Sequence, residues 1–303
     1  MNDLINQFLN NLLPIFLIAA AGYLISKWLG VNPRSISQIT FNIFSPCLVF
    51  VLITKNELGN AQILEMMIFA AILIIVVGSI TWLIGRALRL ERRLLIAVVI
   101  AAMFMNAGNF GLPLTLFAFG ELALAHASLF FVMSGIMTYS VGVVIASMGS
   151  NSLRNSLVGL FKIPAIYGVG LAFVFIQLDW SLPTPVDRSV TLLSNAAIPS
   201  MLIMLGMQLQ KAQWNGYLRA LTLVGTMRLL VAPLLAFGLS ALFGMQGPAR
   251  QAFILEAAMP TAVLTTILAT EYDIEPAFIT TAVLTTTLIS PITLTPLLVF
   301  LSG

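Results

Sequence analysis

The 303-residue chain is 59% hydrophobic and 8% charged, with 14 Lys and Arg against 11 Asp and Glu and a formal net charge of +3. Its mean hydropathy is +1.03, so although the length would allow two water-soluble domains, there are too few charges to cover their surfaces. The basic residues stand singly between apolar runs, which places them at membrane edges and excludes a nucleic-acid partner.

A helix needs roughly 20 apolar residues to cross the hydrocarbon core. In chain order the candidate segments are Leu4–Ser26, Ser35–Thr54, Met66–Gly85, Leu94–Gly120, Leu122–Leu153, Asn155–Leu178, Ser189–Gln210, Ala220–Phe243, Gln251–Thr270 and Pro276–Gly303. Seven of these carry no Asp, Glu, Lys or Arg, and the other three carry one each: Lys162 in segment six, Arg228 in segment eight and Glu256 in segment nine. Met1-Asn2-Asp3 supplies an acidic lead where a signal peptide needs positive charge, so the first segment reads as a helix that is kept. Cys47 is the only cysteine and points to no disulfide or metal.

With the N-terminus outside, Lys27, Arg34, Arg86, Arg89, Arg92, Arg93, Arg154, Lys162, Lys211 and Arg219 face the cytoplasm, while Lys55, Arg188 and Arg250 face out. Ten against three is a positive-inside bias, and it requires an even number of helices with both termini extracytoplasmic. The expected localisation is a bacterial inner membrane.

The chain also repeats itself. Asn42-x-x-x-Pro46 in segment two returns as Asn195-x-x-x-Pro199 in segment seven, an offset of 153, while Pro14 and Glu121 meet Pro164 and Glu271 at an offset of 150. A five-helix unit used twice starts its second copy on the opposite side of the bilayer, so residues 1–149 and 150–303 are expected to be inverted repeats, an architecture of secondary transporters. The two Asn-Pro pairs read as matched kinks whose amides satisfy carbonyls released by proline.

Segment four contains Asn106-Ala107-Gly108-Asn109-Phe110-Gly111-Leu112-Pro113, which combines two amides, two glycines and a proline in a charge-free run. Proline removes a backbone donor and clashes with the preceding turn, so a helix break is expected. Segment nine has its counterpart in Glu256-Ala257-Ala258-Met259-Pro260-Thr261, with Pro260 aligned to Phe110 at the offset of 150. Unwound backbone is tolerated at membrane depth only where it lines a cavity or is buried in protein. Where two breaks cross, half-helix N-termini favour an anion. Asn106, Gly108, Asn109, Gly111 and Pro113 from the first break, with Pro260 and Thr261 from the second, form the expected substrate site.

These residues resemble the auxin efflux carrier family, which includes plant auxin exporters and bacterial malate-permease-like members. The matching pieces are Asn42-x-x-x-Pro46, the Asn106 to Pro113 break ending Gly-Leu-Pro-Leu, Arg228-x-x-x-x-Pro233, and Ala257-Ala258-Met259-Pro260 followed by Glu271-Tyr272. The resemblance implies an all-α membrane protein with ten transmembrane helices, a fold like that of the bile acid:sodium symporters, and broken helices four and nine crossing. It further implies a dimerising scaffold of segments one, two, six and seven, and a moving bundle of segments three to five and eight to ten. A long hydrophilic central loop, present in many plant exporters, is missing here.

Glu256 lies one helical turn before Pro260, and an ionisable group inside a span is by default a functional candidate. In the related sodium-coupled fold a glutamate at a similar place helps bind sodium, so Glu256 is a candidate for cation or proton coupling, set against an ion pair with Arg228. Arg228 is expected to face the bundle interior, pairing with Glu256, meeting a substrate carboxylate, or bonding carbonyls freed by a break. His126, the only histidine, reads as interfacial, and the threonines Thr280, Thr281, Thr285, Thr286 and Thr287 make segment ten polar without individual roles.

The function expected is secondary transport of a small organic anion by alternating access. The alternative is a cation/proton exchanger of the same fold, which usually needs more buried carboxylates. An enzyme is not expected, since HExxH, GxSxG and a P-loop are missing. The partners expected are the anion, the lipid bilayer and a second copy in a homodimer, with no nucleotide or cofactor; the coupling ion, if one is used, is H+ or Na+.

Overall fold

The structure is a computed structural model that describes residues 2–56, 58–147, 164–210 and 217–302. The helices are α1 (Asp3–Leu29), α2 (Pro33–Lys55), α3 (Asn60–Ala87), α4 (Arg92–Met103), α5 (Ala107–Ala146), α6 (Pro164–Gln177), α7 (Thr184–Leu209), α8 (Leu218–Leu242), α9 (Gly247–Ala257), α10 (Leu264–Glu271) and α11 (Pro276–Ser302). Seven of them, α1, α2, α3, α5, α7, α8 and α11, are long and apolar enough to cross a membrane.

The differences from the expected segments have local causes. Segment four is divided between α4 and the start of α5, and segment five continues in α5, which is 40 residues long but turns at Gly120, with φ 78° and ψ −170°. Only glycine adopts such angles without strain. Beyond it the chain returns along itself, since the Ser134 hydroxyl meets the Met105 sulfur at 3.7 Å and Phe131 packs against Gly108. Segment nine is divided between α9 and α10, each too short to span alone. The start of segment six, with Lys162, and the boundary between residues 149 and 150 lie outside the described residues.

Prolines shape the helices. Four π-helical turns, Phe8–Leu12, Thr40–Phe44, Ala107–Gly111 and Met227–Val231, each end two residues before a proline: Pro14, Pro46, Pro113 and Pro233. A proline ring clashes with the carbonyl one turn earlier, and a widened turn absorbs that clash without ending the helix. In α2 the Asn42 side chain donates at 2.7 Å to the Gln38 carbonyl, one turn back from itself, and not to a carbonyl released by Pro46, which would be that of Phe41 or Asn42. Pro199 sits inside α7 without a π turn, and Asn195 is exposed.

Helix ends sort to two faces. At one face Arg93 pairs with Asp273, and Tyr217 donates to Glu275 at 3.3 Å, joining the starts of α4 and α8 to the α10–α11 turn. At the other, Gln7 meets Ser302, Gln251 donates to the Leu301 carbonyl at 2.9 Å, and Lys55 meets Thr191. The first face carries Lys27, Arg34, Arg86, Arg89, Arg92 and Arg93.

Packing is closest between α1 and α7. A Cβ on Gly206 would lie 1.7 Å from the Ala19 carbonyl oxygen, and one on Gly22 would lie 2.0 Å from that of Ile203. Small residues let two backbones touch, which is how helices associate where lipid removes the hydrophobic drive between them. The second limb of α5 packs on α9, with Phe130 and Phe253 ring centroids 5.9 Å apart.

Candidate anion site at the helix crossover

The two breaks meet. Met105 and Thr261 form an isolated antiparallel bridge, with the Asn106 N–H donating to the Pro260 carbonyl at 2.8 Å and the Ala262 N–H to the Phe104 carbonyl at 2.9 Å. Each break thus satisfies part of the backbone that the other exposes, as unwound chain at this depth requires. The crossing sets Asn106 against Pro260; Phe110, aligned to Pro260 by the offset of 150, lies in the π-helical turn that opens α5.

Side chains complete the crossing. The Thr261 hydroxyl donates to the Ala101 carbonyl at 3.0 Å, near the end of α4, and the Thr261 N–H donates to the Thr286 hydroxyl at 3.1 Å. Arg228, fully buried in the π turn of α8, donates from Nη2 to the Ala257 carbonyl at 2.9 Å, at the end of α9. Of its three expected partners, Arg228 therefore meets a carbonyl freed by the break. It does not pair with Glu256: the ion pair formed among the described residues is Arg93–Asp273.

Beside the crossing lies a cavity of 260 Å³, open towards the basic face. Asn106, Ala107, Gly108 and Asn109 line one side and Ala262, Val263, Leu264 and Ile267 another, while α2 contributes Gln38, Phe41 and Asn42 and α7 contributes Gln208. The N-termini of α5 and α10 both face it. Among the described residues the N–H groups of Gly108, Asn109, Val263 and Leu264 take no backbone partner outside the helices, as the first turn of a helix leaves them. Asn109 Nδ2 reaches Gln208 Oε1 at 3.4 Å, and Asn106 Nδ2 and Asn109 Oδ1 have no partner among the described residues although both residues are 4% exposed. A buried amide without a partner is costly unless a water or a ligand meets it. No Asp, Glu, Lys or Arg lines it among the described residues.

Of the expected substrate set, Asn106, Gly108 and Asn109 line the cavity, joined by the kink residue Asn42. Gly111, Pro113, Pro260 and Thr261 are buried outside its lining, and the bonds of Pro260 and Thr261 hold the crossing together. Of the other kink residues, Asn195 and Pro199 line a second cavity at the opposite face, and Pro46 lines neither. Glu256 is fully buried; its Oε1 lies 3.5 Å from the Thr115 hydroxyl, and its Oε2 rests where a Cβ on Gly111 would be, 2.2 Å away, without a hydrogen-bond partner among the described residues. His126 is 4% exposed rather than interfacial, since it follows the Gly120 turn into the α5–α9 packing. In α11 the hydroxyls of Thr280, Thr281, Thr285 and Thr286 return to carbonyls of their own helix.

Gln208 and Thr115 were not singled out by the sequence, and Thr286 was named there only as one of the polar residues of segment ten. Gln208 carried a signal, for it stands 153 residues after Lys55, the offset of the repeated Asn-x-x-x-Pro.

A family model described as a membrane transport protein matches residues 7–155 and 147–298. An uncharacterized transporter of Methanothermobacter thermautotrophicus is 27% identical over 87% of this chain and 88% of its own length. The putative malonate transporter of Rhizobium meliloti is 24% identical over 86% of each chain, and auxin efflux carrier component 6 of Arabidopsis thaliana is 26% identical over 50% of this chain and 30% of its own. The chain belongs to this membrane transport protein family, the auxin efflux carrier family whose motifs its sequence carries.

Proposed function

We propose that the protein is a secondary carrier of a small, singly charged organic anion, bound at the α5/α10 crossover cavity. The observation that carries this reading is the convergence of two helix N-termini and the unpartnered Asn106 amide on one cavity. Each N-terminus contributes a partial positive charge, of order half an elementary charge. With no full cation in the lining among the described residues, these dipoles suit one carboxylate better than two, because a second buried charge would be left without compensation. Phe41, Phe131, Tyr139 and Ile267 offer an apolar wall for the rest of the ligand. The relatives named for auxin efflux and for malonate transport support a carboxylate as cargo.

On this reading the chain crosses the bilayer ten times in two inverted halves, with both termini extracytoplasmic. Helices α1, α2, α6 and α7 form the scaffold, whose inner contact is the Gly22–Gly206 backbone approach, and the scaffold carries the dimer contact. The rest moves as a bundle around the crossing, in a bacterial inner membrane. Glu256 couples the movement to H+ or Na+, since its carboxylate touches the first turn of α5 without lining the cavity. An exchanger of cations alone is less well supported, because Glu256 is the one fully buried carboxylate among the described residues.

The test is sided flux of carboxylates in proteoliposomes containing the wild type or Asn106→Ala. Saturable wild-type flux that the variant loses supports the carrier; equal flux in both removes the site.

A further inference from the structure

The second cavity, of 500 Å³, opens at the opposite face and is lined by Lys55 and Asn56 of α2, Glu121 and Phe117 of α5, and Thr191, Ser194 and Asn195 of α7, among apolar neighbours. The offset of 153 that aligns Asn42 with Asn195 relates this lining to that of the crossover cavity. It carries Gln38 to Thr191, Phe41 to Ser194, Asn42 to Asn195 and Lys55 to Gln208. The first member of each of the first three pairs lines the crossover cavity and the second lines the other; in the fourth pair the order is reversed. Such exchange is what an inverted repeat does to two ends of one pathway.

The two cavities share helices but not residues. Along α2 the crossover cavity ends at Asn42 and the other begins at Leu48; along α5 the corresponding limits are Asn109 and Leu116, and along α7 Gln208 and Leu202. Phe110, fully buried and 6.0 Å from Phe16 in an edge contact, stands in the gap on α5.

One member of the exchange is not conservative in charge. Where the crossover cavity has Gln208 bonded to Asn109, its counterpart has Lys55, whose ammonium donates to the Thr191 hydroxyl at 3.2 Å. We propose that this cavity is a second binding station for the same small organic anion, in which Lys55 takes the carboxylate before the ligand passes Phe110 to the crossover. This rests on the carrier reading above. The anion replaces Thr191 as the partner of the Lys55 ammonium, and its apolar part lies on Leu52 and Phe117. Glu121, the acid in the lining among the described residues, offsets the Lys55 charge and keeps the hold on a monoanion weak, as a site that must release its ligand requires.

The experiment measures half-saturation for labelled malonate and indoleacetate entering from each face of oriented vesicles, with Lys55→Gln and Lys55→Arg. Lys55→Gln removes the ammonium and leaves Glu121 in the lining, and is expected to raise half-saturation about two- to fivefold from the Lys55 face, as loss of an exposed charge pair allows, with no change from the basic face. Lys55→Arg should behave as wild type. No change from either face, or an equal change from both, overturns the station while leaving carrier activity intact. Failure of the wild type to carry either acid overturns the carrier reading itself.

Discussion

The N–H of Asn106 donates to the carbonyl of Pro260, 2.8 Å away, across a bridge in which Met105 faces Thr261. Two helices broken by their own sequence thereby complete each other, and the Nδ2 of the same Asn106 has no partner among the described residues, beside a cavity. The backbone holds the crossing, and the amide is available to a ligand.

Thr261→Val separates those two tasks. Valine is nearly isosteric but cannot donate to the Ala101 carbonyl, and an acceptor so orphaned in a buried place costs about 1–3 kcal/mol. The variant should melt at a lower temperature in detergent. Its half-saturation for transport should match wild type, since Thr261 does not line the cavity. A raised half-saturation with unchanged melting would instead make Thr261 a ligand contact.

Glu256→Gln keeps the shape of a side chain that has one long contact, to Thr115 at 3.5 Å, and no ion-pair partner among the described residues. A neutral amide removes the cost of an uncompensated buried carboxylate. The protein should remain folded and bind its anion, while flux loses its dependence on a proton or sodium gradient. Flux assays with each gradient imposed in turn check this; unchanged dependence in the variant assigns Glu256 a structural role.

Gly206→Ala tests the scaffold. The added methyl would stand 1.7 Å from the Ala19 carbonyl oxygen, a backbone atom that cannot swing aside. Overpacking of this kind costs about 1–3 kcal/mol or more. Gly225→Ala in α8, where a Cβ meets nothing within 4 Å, is the control and should be neutral or slightly stabilising. Detergent melting curves of the two variants should differ in that order; equal stability contradicts the close α1–α7 approach.

Much of this was legible because proline, glycine and charge act locally. The Asn106 to Pro113 run announces its break, whereas the π turn at Met227–Val231 came only from the structure. What lay beyond reach was which atom each polar side chain would find. Thr261 and Asn106 are equally polar in the sequence, yet one bonds the Ala101 carbonyl and the other has no partner, because that depends on how two segments about 150 residues apart come together. Arg228 had three plausible acceptors, and packing of α8 against the end of α9 selected the Ala257 carbonyl. Gln208 was missed because its role depends on Asn109, on another helix.

The central claim is that the crossover cavity holds a singly charged organic anion through Asn106 and two helix N-termini. The most direct measurement is calorimetric binding of malonate and indoleacetate to the purified protein between pH 4 and 8, with and without sodium, for wild type and Asn106→Ala. The account predicts saturable binding that Asn106→Ala weakens by about tenfold or more, in line with the ~1.5–3 kcal/mol of a hydrogen bond to a charged group, and malonate binding that strengthens towards low pH as its monoanion becomes available. Equal binding by wild type and Asn106→Ala, or malonate binding that strengthens as pH rises, would contradict it.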